Sequence, residues 1–192
     1  RYLDYLERTR DKLREQAEHA RNTALALHPS PAGIVSFIHD PERLWERRRS
    51  DADHLQARIG MATVPWFTLN VPTSESPVEP IDPILLREAE MLTSSHSSIE
   101  AMPATADLRE AAVVAVIGPR ERTIPMIRAL VMQLTAHQLP EDLELAAAFP
   151  VEHARDWRGF DLLPHVHDPN LFDGPVPARR VAPTLDALSD IL

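Results

Sequence analysis

Cysteine is absent from the 192 residues, which excludes disulfide bonds and metal sites built on thiolates. Its absence agrees with a reducing compartment. No stretch approaches the roughly 18 consecutive apolar residues of a transmembrane helix, and no secretory signal pattern opens the chain. Lysine is nearly absent as well, since Lys12 is the only one and arginine supplies the rest of the positive charge.

Acidic residues outnumber basic ones, 29 to 20, which gives a formal net charge of −9. A domain that holds nucleic-acid phosphates usually has a basic excess, so the charge disfavours nucleic acid as a partner. The hydrophobic fraction of 44% and the length are enough for one packed domain with an appendage. The chain begins and ends inside helical patterns, from which we expect a fragment of a longer protein.

The first 27 residues have the pattern of one long amphipathic helix. Apolar residues recur at steps of three and four, beginning with Leu3, Leu6 and Leu13, and opposite charges occupy the other faces. Pro29 and Pro31 end the pattern. We interpret residues 1–28 as a stalk that packs on a neighbour, with those three leucines as candidate interface residues.

Residues 29–82 are predicted to be a mixed extension. The pattern indicates short helices near Pro31–His39 and over 40–49, and a strand within 55–69. Four prolines among serine, threonine and glutamate make 71–83 a linker. Trp45, Arg47 and Arg48 form a second candidate interface, because tryptophan and arginine are enriched at protein contacts.

Residues 83–192 alternate between strand and helix patterns, which is typical of an α/β fold with a parallel sheet flanked by helices. Asp82 is a predicted N-cap for a helix over Pro83–Ser95, and Thr184 for a final helix. Another helix is predicted over 123–138, and a shorter one near 152–158. The predicted strands are 104–108, 112–117, 143–149 and 180–182.

A nucleotide-binding loop is expected at Gly118–Pro125, between the apolar run 112–117 and the following helix. A working phosphate loop has glycine, four residues, glycine, lysine, and serine or threonine. Only Gly118 survives; Thr123, Ile124 and Pro125 stand where the second glycine, the lysine and the magnesium-binding hydroxyl belong. The pattern therefore keeps the shape of the class without its chemistry, although any parallel-sheet fold can contain a similar turn.

The intervening residues Pro119, Arg120, Glu121 and Arg122 leave two alternatives open. The arginines can attract an anion to the helix N-terminus, or they are solvated surface charges, which the acid between them favours. In the first case the domain is a weak nucleotide-binding or ATPase regulator that takes its acid from beyond residue 192.

A third alternative is a metal-dependent enzyme. His165, His167 and Asp168 share a short extended segment, which is a plausible beginning of a metal site. The two histidines lack a convincing further ligand, and the surrounding residues form a proline-rich loop. A structural or solvent-facing role for these histidines is therefore favoured over metal binding.

The ordered set of short motifs resembles the EccC family of type VII secretion, whose members are FtsK/SpoIIIE-type ATPases. Residues 1–6, Arg-Tyr-Leu-Asp-Tyr-Leu, are similar to the start of that family's cytosolic stalk, and Leu-Trp-Glu-Arg-Arg at 44–48 resembles its Trp-Glu-Arg element. Asp-Leu-Arg at 107–109 and Leu-Pro-His at 163–165 resemble later family elements. Together the motifs cover nearly the whole chain.

The resemblance implies a membrane-proximal domain of unknown function with a RecA-like fold and a degraded nucleotide site. It implies an anchor of upstream transmembrane helices, a position at the cytoplasmic face of the bacterial inner membrane, and partners similar to EccB, EccD and EccE in a hexameric machine. ATP and magnesium then belong to downstream ATPase domains, and this domain has no catalytic residue, metal or cofactor of its own. Residues 83–192 are the truncated RecA-like part.

Overall fold

The computed structural model describes residues 1–66, 82–111 and 113–192, so the predicted linker over 71–83 lies almost entirely outside the described residues. Within the described ranges the helices are α1 (Tyr2–Leu27), α2 (Pro31–Phe37), α3 (Pro83–Ser95), α4 (Arg120–His137) and α5 (Leu185–Ser189). The strands are β1 (Gln56–Pro65), β2 (Ser98–Asp107), β3 (Ala147–Ala148), β4 (His167–Asp173), β5 (Val176–Arg179) and β6 (Val181–Ala182). Short 3₁₀ helices occupy Val151–Trp157, Phe160–Leu162 and Pro164–Val166.

The chain divides into two compact units that are interleaved in sequence. The first comprises residues 1–29 and 60–104, and the second comprises 30–59 and 105–192. The units are interleaved because β1 and β2 each begin in one unit and end in the other. The three consecutive segments expected from the sequence, 1–28, 29–82 and 83–192, stay a prediction.

The first unit is built on the packing of α1 against α3. Leu6 and Leu13 are buried against Ala89 and Leu92, and Trp66 packs partly on the same cluster. Helix α3 has the predicted N-cap, since the Asp82 carboxylate accepts a hydrogen bond from the Ile84 N–H at 2.8 Å. The long N-terminal helix and the helix over 83–95 thus lie where the sequence patterns predicted helices.

The core of the second unit lies between α2 and α4. Ile34 and Phe37 of α2 pack on Ala136, with Met132 at the margin. The ring of Phe37 meets that of His137 edge-on at a centroid distance of 4.5 Å. Ser30 caps α2 by accepting a hydrogen bond from the Gly33 N–H at 3.2 Å. The main predicted helix of this region is present and begins three residues earlier than expected.

The strands form three separate two-stranded sheets instead of one parallel sheet. Strands β1 and β2 are antiparallel, as the Leu108–Leu55 and Trp66–Ser97 backbone hydrogen bonds at their ends require. The only parallel strand pair recorded in the described residues is β3 with β6, two residues from each strand. Strands β4 and β5 form an antiparallel hairpin whose turn contains Gly174 at φ 63°, a left-handed conformation that suits glycine. Mixed helix and strand with small sheets is compatible with the α/β class, but the expected single parallel sheet is wrong for the described residues.

Two predicted elements are absent. Residues 113–117 form no strand, and the side chains of Val113 and Ile117 are 86% and 92% exposed; Ala112 lies outside the described residues. Apolar β-branched residues favour a strand, but a strand also needs a neighbour to pair with. The predicted helix over 40–49 is replaced by turns, because the carboxylates of Asp40 and Asp51 accept hydrogen bonds from the N–H groups of Glu42 and Arg48.

Candidate functional site

Most of the predicted phosphate loop is folded as helix. Helix α4 begins at Arg120, so Gly118 and Pro119 are the two residues of the predicted loop that stay outside the helix. Pro119 is the N-cap residue and provides no side-chain cap. A loop that wraps a triphosphate needs several non-helical residues between strand and helix. Here those residues have become the first turn of α4.

Two backbone donors in the first turn of α4 form hydrogen bonds within the helix. The N–H groups of Arg122 and Thr123 both donate to the Pro119 carbonyl oxygen, at 2.9 and 3.0 Å. The Thr123 hydroxyl donates to the Arg120 carbonyl at 3.3 Å. Phosphate binding at a helix N-terminus depends on N–H groups that point at the ligand. Two of the donors in this turn are therefore already occupied.

Ile124 and Pro125 continue the helix into its second turn. Pro125 has no N–H, so the helix lacks the bond that a residue at this position donates to the carbonyl four residues earlier. Ile124 provides neither charge nor a polar atom. The positions that correspond to the phosphate-binding lysine and the magnesium-binding hydroxyl are therefore an apolar side chain and an exposed proline.

The two arginines of this turn have different surroundings. The guanidinium of Arg120 forms an ion pair with the carboxylate of Asp156, which belongs to the 3₁₀ helix Val151–Trp157. The guanidinium of Arg128, two turns further along α4, donates to the backbone carbonyl of Asp156. Arg122 is exposed and has no ion pair with any residue in the described ranges. The carboxylate of Asp156 thus neutralises Arg120, the cation nearest to Gly118 in sequence.

The Trp-Glu-Arg segment lies against the C-terminus of α4. The Trp45 N–H donates to the Ala136 carbonyl at 2.8 Å, and the Arg47 N–H donates to the His137 carbonyl at 3.0 Å. The indole Nε1–H of Trp45 donates to the Thr135 carbonyl at 2.9 Å. Since the last carbonyls of a helix have no partner within the helix, the segment caps α4. Trp45 takes φ 60° to do so.

Arg47 is buried to 3% exposure and forms an ion pair with Asp53 at 2.9 Å. Its guanidinium also donates to the carbonyls of Asp53 and Gln56, at 3.2 and 2.9 Å. Burial lowers the pKa of the Arg47 guanidinium, and the neighbouring Asp53 carboxylate opposes that shift. Trp45 and Arg47 are thus engaged inside the second unit, whereas Arg48 is exposed. The interface role of these residues stays a prediction.

The leucines of the predicted stalk interface divide in the same way. Leu6 and Leu13 are each 6% exposed and packed on α3, whereas Leu3 is 52% exposed. Leu3 lies beside Tyr2 and Tyr5, which are 42% and 59% exposed with ring centroids 6.4 Å apart. Leu27, in the last turn of α1, is 45% exposed as well, so the apolar surface that α1 still presents lies at its two ends.

The histidine segment brings no set of ligands together. The Nε2 of His165 lies 2.9 Å from the Gln138 carbonyl, the Nε2 of His167 lies 3.2 Å from the Asp161 carbonyl, and Asp168 pairs with Arg180 at 3.2 Å. Burial lowers the pKa of His165, and the Asn170 N–H followed by Arg180 lowers that of Asp168. No group of three histidine, aspartate or glutamate side chains with metal-site geometry occurs in 1–66, 82–111 or 113–192.

Gln133 is a positioning residue that the sequence patterns missed. Its side-chain amide accepts from the Arg58 N–H at 2.9 Å and donates to the Arg58 carbonyl at 3.1 Å, which ties β1 to α4 within the second unit. The available signal was a single amide in the apolar run Ala129–Leu134. A buried polar group inside such a run needs partners, and here the partners are backbone.

In the part of the chain that the structure describes, no helix is both long enough and apolar enough to cross a bilayer. No protein-family model matches the chain. Curated relatives do match it. ESX-3 secretion system protein EccC3 of Mycobacterium tuberculosis is 34% identical over 194 residues, which cover all of this chain and 14% of that protein. ESX secretion system protein EccC of Thermomonospora curvata is 31% identical over 191 residues, again all of this chain and 14% of the relative.

A third relative, ESX secretion system protein EccC of Geobacillus thermodenitrificans, is 30% identical over 173 residues, or 89% of this chain and 12% of its own length. These matches place the chain among proteins of ESX secretion systems. Within that class it belongs to the EccC family of type VII secretion, as the motif resemblance predicted. The chain spans about one seventh of the length of the first two relatives.

Proposed function

We propose that this chain is a non-catalytic coupling domain of EccC, which transmits motion between a membrane complex and ATPase domains elsewhere in the protein. Membership in the EccC family supports a role in type VII secretion. The small share of each relative that the chain spans agrees with one part of a larger machine. The long helix α1 serves as the stalk, and the second unit, which contains the degraded phosphate-loop positions, relays the motion.

One observation carries the non-catalytic part of the proposal: residues 120–125 are helix where a phosphate-binding loop is required. Two first-turn donors are bonded to Pro119, and Arg120 is paired with Asp156. A triphosphate with magnesium needs a lysine and a hydroxyl as well, and Ile124 and Pro125 provide neither. Binding of ATP here would require the first turn of α4 to unwind and an ion pair to break.

We propose the setting of the domain from its resemblance to the family. Its position is the cytoplasmic face of the inner membrane, below transmembrane helices that precede it in the full protein. Its partners are subunits similar to EccB, EccD and EccE and the neighbouring ATPase domains, within a hexamer. ATP and magnesium bind in those other domains. Nucleic acid is not a partner, in keeping with the net charge of −9.

Calorimetry with ATP and magnesium on the 192-residue chain tests the absence of a nucleotide site. We expect no binding in the micromolar range. The Gly118→Asp variant is the matched control, because a carboxylate at that turn repels phosphate. Micromolar binding by the parent chain that disappears in Gly118→Asp would favour the alternative, a weak nucleotide-binding or ATPase regulatory domain, over the proposed function.

The coupling role is tested in full-length EccC that contains this segment. Leu13→Asp places a charge in the α1–α3 core, and Gln16→Asp places the same charge at an exposed position of the same helix that is not a candidate interface residue. We expect Leu13→Asp to lower substrate secretion while ATP hydrolysis by purified EccC continues. Gln16→Asp controls for the charge itself. Parallel loss of hydrolysis and secretion in a correctly folded Leu13→Asp protein would argue for a catalytic role instead.

A further inference from the structure

A groove of about 530 Å³ runs along one side of α4 in the second unit. Ala129 and Met132 of α4 form part of its lining, opposite Trp157, Phe160 and Leu163 from the region of the 3₁₀ helices. Its volume falls in the range of about 300–1,000 Å³ that is typical of binding pockets. The lining residues are mostly apolar, and all of them belong to the same compact unit.

Trp157 and Phe160, which form the aromatic wall of the groove, are held in place by ring contacts. The indole of Trp157 stacks on Phe149 with centroids 5.8 Å apart and planes inclined by 21°. Phe160 meets the same indole edge-on at 6.2 Å and 79°. Rings fixed by such contacts lose little conformational entropy when a ligand packs on them. The wall is therefore a pre-formed apolar surface.

The rim of the groove is positively charged. Arg128 and Arg158 line it, are exposed, and have no acidic residue among the other lining residues. Arg128 donates to a backbone carbonyl, that of Asp156, which does not neutralise its charge. Arg158 has neither an ion pair nor a hydrogen bond to any residue within the described ranges. Neither guanidinium forms an ion pair with a described residue, although the chain has a net charge of −9.

The carboxylates nearest in sequence are already paired. Asp156, next to Trp157, forms its ion pair with Arg120. Asp161, next to Phe160, lies 3.7 Å from Arg179. These pairs leave the positive rim to attract an anion from outside the chain. The lining hydroxyl of Thr135 is occupied too, since it donates to the Val131 carbonyl at 2.9 Å.

We propose that this groove binds a short linear peptide of a partner protein, in which a large apolar side chain is flanked by carboxylates. The apolar side chain packs against Trp157 and Phe160, and the flanking carboxylates pair with Arg128 and Arg158. Arginine with tryptophan is a combination typical of binding hot spots. A nucleobase fits less well, because no carboxylate or amide side chain lines the groove to accept from its N–H groups, which are costly to bury unpaired.

The proposal is tested on the 192-residue chain with three labelled, acetylated peptides and fluorescence polarisation. The probe has the sequence Ser-Glu-Phe-Glu-Ser; the controls replace phenylalanine by serine, or both glutamates by lysine. We expect saturable binding of the probe in the micromolar to low millimolar range, and binding at least about tenfold weaker for either control. Equal binding of all three peptides, or none of the probe up to a few millimolar, would overturn the proposal.

Two variants locate the binding on the protein. Arg158→Glu reverses a rim charge that has no internal partner, and Ala129→Trp fills the groove. We expect each to weaken probe binding at least about tenfold, provided that circular dichroism and the melting temperature match the parent chain. Arg122→Glu is the matched charge control, because Arg122 is exposed on α4 but does not line the groove.

Three outcomes count against the proposal. An equal effect of Arg122→Glu and Arg158→Glu would indicate non-specific charge attraction instead of the groove. Displacement of the probe by ATP without magnesium, at lower concentration than by unlabelled peptide, would assign the groove to a nucleotide. Unchanged binding in Ala129→Trp would place the peptide elsewhere. The inference does not depend on the coupling role, so either one can fail while the other stands.

Discussion

The indole N–H of Trp45 donates to the carbonyl oxygen of Thr135 at 2.9 Å, across 90 residues of sequence. The backbone N–H groups of Trp45 and Arg47 bind the next two carbonyls. The sequence predicted that Trp45 lies at an interface. In the structure Trp45 completes the hydrogen bonding at the C-terminus of α4, within its own unit. It does so at a positive φ, which only a well-determined environment maintains in a residue other than glycine.

Replacement of Trp45 by phenylalanine isolates the contribution of that indole bond. Trp45→Phe keeps an aromatic ring but leaves the Thr135 carbonyl without this donor, so we expect the free energy of unfolding to fall by about 1–3 kcal/mol. Urea denaturation followed by circular dichroism measures the change. Trp157→Phe is the control, since the Trp157 indole N–H has no hydrogen bond to the described residues, and we expect a smaller loss. Equal losses would contradict the capping role of Trp45.

The Arg47–Asp53 pair predicts a strong effect of removing one charge. Asp53→Asn leaves the buried guanidinium without its anion, and we expect a loss of about 1–3 kcal/mol in unfolding free energy. The comparison is Asp11→Asn, which breaks the Arg14–Asp11 pair at 3.7 Å between two largely exposed side chains. Exposed pairs contribute little, so Asp11→Asn is expected to cause no measurable change. A similar loss of unfolding free energy in Asp53→Asn and Asp11→Asn would show that the burial of Arg47 does not determine the effect.

The core of the first unit predicts a contrast along α1. Leu13→Ala removes a side chain that is 6% exposed and packed on α3, and we expect a loss of about 2–4 kcal/mol. Leu3→Ala removes the same atoms at a position that is 52% exposed, with an expected change within about 0.5 kcal/mol. Denaturant midpoints of the two variants give the comparison. Equal midpoints would mean that α1 does not depend on α3 for its packing.

His165 predicts a pH dependence of stability. Burial lowers its pKa below the ordinary value of 6.5, so the unfolded chain binds the proton more readily than the folded one. The stabilisation is complete above pH 6.5 and is lost as pH falls from there toward the folded-state pKa, with a slope of at most about 1.4 kcal/mol per pH unit. We expect the unfolding free energy of the parent chain to decrease from pH 7.5 to 5.5.

His165→Gln keeps a side chain that can donate to the Gln138 carbonyl but cannot titrate, so this variant is expected to lose part of that decrease. Asp107 does not interfere, because hydrogen bonds from Arg109 lower its pKa to about 2 and its stabilisation is lost only as pH falls below about 3.8. An unchanged pH dependence in His165→Gln would show that another group accounts for it.

Local signals predicted the helices well. The Asp82 and Thr184 caps accept their expected hydrogen bonds, from the Ile84 and Ala187 N–H groups. Apolar spacing predicted α1, with its buried Leu6 and Leu13. Capping and amphipathic spacing act over one or two turns, so the chain needs no distant partner to reveal them. For the same reason the motifs were sufficient to identify the EccC family.

Strand pairing and the candidate sites required the fold. The run Val113–Ile117 has the composition of a buried strand, yet it lies exposed and unpaired among the described residues, because composition cannot provide a neighbouring strand. Asp40 and Asp51 diverted residues 40–49 from helix into turns. The peptide groove was also invisible in sequence, since its walls come from segments some 30 residues apart.

By itself the sequence determined helices α1 to α5, the Asp82 and Thr184 caps and the absence of a phosphate-binding lysine and hydroxyl, because each depends on residues within a few positions of one another. Tertiary structure decided that Arg120 is paired with Asp156, that Trp45 caps α4, and that Arg128 and Arg158 border an apolar groove. Those relationships depend on where distant segments meet. A short window of sequence contains no information about such non-local packing.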